Sequence, residues 1–239
     1  MNDLPCEDSP WLREMVDADL LALFSDDDEE IARAVRHFIA LAQERGTVED
    51  QLIDLVDTSL EHRNDDSSAS MWAIVVLGEI GSVRSIPVLR HALLADEVLQ
   101  DAAQIALLRI GSPALEAIMD AVDEEENPRL NRAAYPLLGM IGVLEDDMMN
   151  ERVASFLQAR LPVERRMARE DSALEELFQA IARIGDRRQL EAMKEILREE
   201  FSENNPLLQD AIELLEENVA GVAIGASTPP WEERYGWIL

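Results

Sequence analysis

Leu77-Gly78-Glu79-Ile80-Gly81-Ser82, followed by Ile86-Pro87-Val88-Leu89-Arg90, is matched further on by Leu108-Arg109-Ile110-Gly111-Ser112 and Pro113-Ala114-Leu115-Glu116, so the stretch from Met71 to Val122 contains one phrase written twice. In each copy an apolar helical run closes on Ile-Gly, where glycine takes up the left-handed backbone at a helix C-terminus without a Cβ penalty. Ser82 and Ser112 are then good N-cap residues, and Pro87 and Pro113 suit a first helical turn, which needs no amide donor there. The Ile-Gly closing returns at Ile141-Gly142 and Ile184-Gly185, so successive occurrences lie 30, 31 and 43 residues apart. One hairpin of this kind cannot bury its apolar face alone, whereas a stack makes a continuous core. The expectation is an all-α chain, an α-solenoid of stacked antiparallel helix pairs.

The run Ala73-Ile74-Val75-Val76-Leu77-Gly78-Glu79-Ile80-Gly81-Ser82 with Ser85-Ile86-Pro87-Val88-Leu89-Arg90-His91-Ala92-Leu93 resembles the short HEAT repeat typified by phycobilisome lyases. Residues 127–161 keep the Leu-Gly-x-Ile-Gly ending, 171–200 keep Ile-Gly-Asp, and the first 70 residues keep the helix-pair rhythm without the phrase. The resemblance implies a right-handed superhelix. It also implies, as an alternative function, bilin attachment to or detachment from a phycobiliprotein. The Gly-Asp usual in such repeats stands here as Gly81-Ser82, Gly111-Ser112 and Gly142-Val143, and survives as Gly185-Asp186.

At 239 residues and 47% hydrophobic content the chain buries a sizeable core as one stacked array. The organisation read from it is a solenoid over 1–218, with about five helix pairs plus terminal helices, then a small, apolar linker and aromatic tail over 219–239. No apolar run approaches the roughly 18 residues that span a bilayer, and the acidic start Met1 to Asp8 lacks the positive region of a secretory signal. A single cysteine, Cys6, forms no internal disulfide. A cytoplasmic protein is expected.

The net charge of −29 argues against nucleic acid and against an acidic membrane, since binding phosphates requires Lys and Arg. It speaks instead for long-range attraction of a basic partner. Ser9-Pro10 opens a helix through about Phe24, and Ser25 caps the next, whose start Asp26-Asp27-Asp28-Glu29-Glu30 suits the helix dipole and lacks the spacing of a calcium loop. Ile31, Ala34, Phe38 and Leu41 form an apolar stripe that Gly46 ends, and Thr47 to Asp50 opens a helix to Leu60. Beyond the repeats, Pro136 lies inside a helix that starts at Pro128, and Glu145 to Leu161 makes its partner. Helices over 171–184, 186–201 and 206–218 complete the array.

Catalytic patterns are not found: there is no phosphate-binding glycine loop, no Gly-x-Ser-x-Gly elbow and no Cys and His pair at nucleophile spacing. His37, His62 and His91 precede Phe38, Arg63 and Ala92, so the His-Glu dipeptides of HEAT-type metal hydroxylases are missing. No catalytic residue, metal or cofactor is assigned, and the chain reads as a non-catalytic protein-binding scaffold.

Two stretches stand out as docking candidates. Residues 127–170 hold seven arginines against six acids, and Arg160, Arg165, Arg166 and Arg169 crowd the place where the period lengthens, which assigns Pro162 through Glu170 as an insertion. Arginine suits bidentate recognition of carboxylate or phosphate groups. An anionic segment of another protein is the expected partner there, or a second copy bound head to tail through Asp26 to Glu30 or Asp123 to Glu126. The alternative is that these arginines pair with Glu164, Glu170 and acids of adjacent helices. In the tail, Trp231, Tyr235 and Trp237 either engage a partner or cover the apolar face of the last helix.

Overall fold

The computed structural model describes residues 20–217 except 21, 26, 45–46, 63–67, 126, 145–146, 168–171 and 202–204. Among the described residues there are eleven α-helices and no strand. They are α1 Asp28–Glu44, α2 Thr47–His62, α3 Ser68–Glu79, α4 Ile86–Ala92, α5 Glu97–Ile110, α6 Ser112–Glu124, α7 Pro128–Leu144, α8 Asp147–Glu164, α9 Leu174–Ile184, α10 Leu190–Glu200 and α11 Pro206–Glu217. Single 3-10 turns, Val83–Ser85 and Arg187–Gln189, lead into α4 and α10. No helix of the described residues is long and apolar enough to cross a membrane. Most of the helix expected up to Phe24, and everything beyond Glu217, lies outside the described residues.

The helix ends follow the expected chemistry with several shifts. Asp27, rather than Ser25, caps α1: its Oδ1 accepts from Glu29 N at 2.9 Å, while Ser25 Oγ accepts from Asp27 N and donates to Glu30 at 2.7 Å. A carboxylate is the stronger acceptor beside the positive end of a helix. Ser82 caps the 3-10 turn before α4, its Oγ accepting from Ser85 N at 3.1 Å, and Asp186 does the same for Arg188 N at the equivalent turn. Ser112 is not a cap. It is the first residue of α6, and Gly111, at φ 73°, both ends α5 and stands at the N-cap of α6.

Ile141-Gly142 does not close its helix either: α7 continues to Leu144. A Cβ on Gly142 would stand 3.2 Å from both Val153 Cβ and the Ile184 side chain, so this glycine serves close packing. Pro136 lies inside α7 as expected. The helix expected to end at Leu161 runs through Pro162 to Glu164, because the buried stripe Val153, Leu157, Leu161 continues onto Glu164 one turn further.

Odd-numbered helices pack on one another in succession, α1 on α3, α3 on α5, α5 on α7, α7 on α9 and α9 on α11, and each even helix packs against at least one odd neighbour. Two of these contacts are the most extensive, α3 on α5 and α7 on α9. Glycine explains both. A Cβ built on Gly78 would lie 2.6 Å from Ala106 Cα, and one on Gly139 would lie 2.9 Å from Ala180 Cα, so backbones approach without side chains between them. Counting back three residues from each Ile-Gly glycine gives Gly78, Leu108, Gly139 and Ala182. Counting back five gives Val76, Ala106, Leu137 and Ala180. Small meets small from α3 to α5 and from α7 to α9, while the α5 to α7 step brings Leu108 and Leu137 to these positions and packs less extensively.

Replacing Gly78 by alanine therefore forces α3 and α5 apart. We expect a loss of about 1–3 kcal/mol in urea unfolding, the range for overpacking a tight core. Gly81→Ala, with nothing within 4 Å of its Cβ but φ at +66°, should cost about 1–2 kcal/mol from backbone strain alone. An unchanged midpoint for Gly78→Ala contradicts the close approach.

Candidate functional site

The even helices touch each other far less than the odd ones, and arginine-carboxylate pairs bridge every step between them. Arg84, in the turn before α4, reaches back to Asp50 and to Glu49 at 3.3 Å in the first turn of α2. Arg90 at the end of α4 holds Glu125 beyond α6. From α8, Arg152 pairs with Glu116 and Arg160 with Asp123 at 3.3 Å, both on α6. Arg188, before α10, grips Glu151 of α8 through two nitrogens at 2.7 and 3.3 Å, and Arg165 pairs with Glu199 of α10. The odd series carries its own pair, Arg109 with Glu79 at 3.0 Å.

Where the period lengthens, a polar cluster is buried. The fully buried Glu164 carboxylate accepts from Tyr135 Oη at 2.6 Å, Asn131 Nδ2 at 2.8 Å and the backbone N of Ala173 at 2.8 Å. Arg160 Nε donates to Tyr135 Oη at 3.2 Å, and its Nη2 stands 4.0 Å from Glu164. Burial, then the hydrogen bond and charge of Glu164, push the Tyr135 hydroxyl far above the ordinary phenol range. Burial works against the Arg160 charge, but Tyr135, Glu164 and Asp123 outweigh it and hold the guanidinium above its usual pKa. The cluster ties α7 to α8 and to the start of α9. With each carboxylate oxygen engaged by a donor, it is fitted to hold structure in place.

Beside it a half-open cleft of about 510 Å³ lies between α7, α9 and the end of α10, lined by Arg132, Met167, Ser172, Leu174, Glu175, Glu176 and Phe201. Glu175 accepts from Asn205 Nδ2 at 2.6 Å. Burial raises the pKa of Glu176; its own backbone N–H and Arg132 oppose the shift, and Glu175 and Glu164 add to it.

Three of the four arginines read as a docking cluster are among the described residues, and each has a different partner. Arg160 points inward, Arg165 is held by Glu199, Arg166 Nε donates to its own helix at Pro162 O at 3.0 Å, and Arg169 lies outside the described residues. Trp231, Tyr235 and Trp237 also lie outside them. Of the acidic runs, Asp123 is engaged by Arg160, while Asp28, Glu29 and Glu30 are exposed on α1. Asp50, Asp54, Asp57 and Glu61 form an exposed acidic stripe along one face of α2.

Sequence reasoning missed Asn131 and Tyr135 and read Glu164 only as a partner of the nearby arginines, although the signal for its burial was present. Glu164 continues the stripe of Val153, Leu157 and Leu161 at helical spacing, and Asn131 and Tyr135 stand four apart on the buried side of α7. No family model matches the chain, and no curated protein compared with it matches.

Glu164→Gln should destabilise the protein by about 1–3 kcal/mol in urea unfolding, since an amide offers one acceptor oxygen where the carboxylate offered two to buried donors. Glu176→Gln should act oppositely. A carboxylate whose pKa is raised on folding binds its proton more tightly in the folded state, so its ionisation lowers stability as pH rises through that pKa. The Gln variant should therefore melt higher than the parent at neutral pH, and the difference should vanish as pH falls below the usual carboxylate range.

Proposed function

We propose that the chain is a HEAT-like α-solenoid acting as a non-catalytic scaffold that docks a basic segment of another protein on its acidic even-helix side. The observation that carries this reading is the fate of the cations. With 50 acids against 21 arginines and lysines, the arginines of α4, α5, α8 and the turn before α10 hold neighbouring helices together. Asp54, Asp57 and Glu61 stand exposed along α2, which carries no arginine of its own, in line with Asp50, which Arg84 reaches. Successive packing of the odd helices supports the stacked-repeat reading, as does the recurring Ile-Gly phrase.

Such an array should be extended. Small-angle scattering should give a radius of gyration clearly above the roughly 18 Å expected for a globule of this length. For docking, a lysine- and arginine-rich peptide should bind in calorimetry at low salt, weaken steeply with added salt, and have no counterpart in an acidic peptide of equal length. Neutralising Asp50, Asp54, Asp57 and Glu61 to their amides should reduce affinity more than neutralising Glu191, Glu195, Asp210 and Glu213 at the other end. Equal losses from the two sets reduce the effect to net charge, and binding of the acidic peptide overturns the proposal.

A further inference from the structure

We infer that the molecule is hinged at the step from α5 and α6 to α7 and α8, and that the hinge is set by two exposed ion pairs, Arg152 with Glu116 and Arg160 with Asp123. Three observations converge on this step. On the odd side, the flanking contacts α3 to α5 and α7 to α9 are locked by glycine on alanine, Gly78 on Ala106 and Gly139 on Ala180, whereas α5 to α7 lacks that close approach and packs less extensively. On the even side, α2 packs on α4 and α4 on α6, while α8 makes no comparable packing against α6 or α10, and α6 packs on the second segment through α7 alone. What crosses that gap is charge: Arg152 and Glu116 are about half exposed, and Asp123 is 61% exposed opposite an Arg160 anchored inward on Tyr135.

Apolar seams resist salt, and exposed ion pairs are screened by it. The segments α1 to α6 and α7 to α11 accordingly move as two bodies about the α5 to α7 seam, and screening or loss of the two pairs opens the even side. A scaffold built this way changes the curvature it presents to a partner without unfolding a helix.

Double electron-electron resonance on the full chain tests the hinge, with Cys6→Ser and spin labels at Asp120→Cys on α6 and Ser155→Cys on α8. A control pair, Asp54→Cys on α2 and Asp120→Cys on α6, lies within one body. From about 0.05 M to about 1 M NaCl, a span over which the Debye length shrinks severalfold, the seam distance should lengthen and broaden while the control stays fixed. Glu116→Gln with Asp123→Asn should give the lengthened distribution already at low salt, with helicity unchanged by circular dichroism. The salt series on the labelled parent stands alone if that variant folds poorly. A seam distance that does not respond to salt overturns the hinge. So does one that changes together with the control, which is the signature of screening the overall charge.

Discussion

The approach of α3 to α5 and of α7 to α9, backbone against backbone at Gly78 and Ala106 and at Gly139 and Ala180, is the constraint from which the rest of the molecule follows. Where two helices meet without intervening side chains, their separation and crossing are fixed within tenths of an ångström, and dispersion along the contact is maximal. These two seams hold α3 to α5 and α7 to α9. The even helices touch one another far less.

That sparse contact explains the charge arrangement. Where even helices barely touch, from α6 to α8 and from α8 to α10, arginine, with its long stem and forked head, meets a carboxylate on the far side. Two of the acids recruited, Glu49 and Asp50, lie in the first turn of α2, so they serve the helix dipole and the neighbouring turn together. Exposed pairs of this kind contribute little stability each, which is why the even side is the adjustable one and the odd side the fixed one.

The lengthened repeat between α8 and α9 needed a different solution. Buried backbone and side-chain donors there, Ala173 N, Asn131 Nδ2 and Tyr135 Oη, converge on the buried carboxylate of Glu164. A buried charge is tolerable only when fully hydrogen-bonded. The arginine four residues earlier, Arg160, is drawn inward by the same cluster.

The sequence by itself determined that the chain is helical, because Ile-Gly endings, serine and proline starts and apolar stripes are all local signals that act within one or two turns. It also carried the alternation of small and large residues that sets the seams, through Gly78, Leu108, Gly139 and Ala182, and the buried register of Glu164. What it could not determine was where each arginine goes. Arg160, Arg165 and Arg166 are neighbours in sequence, but their partners, Tyr135, Glu199 and Pro162 O, stand 25, 34 and 4 residues away. Nor could it tell that Gly111 and Gly185 end helices with positive φ while Gly142 lies inside one, since the difference is made by Val153 and Ile184 packing against Gly142 from elsewhere in the fold. Capping and periodicity are properties of adjacent residues, whereas ion pairing and close packing depend on which helices the tertiary structure brings side by side.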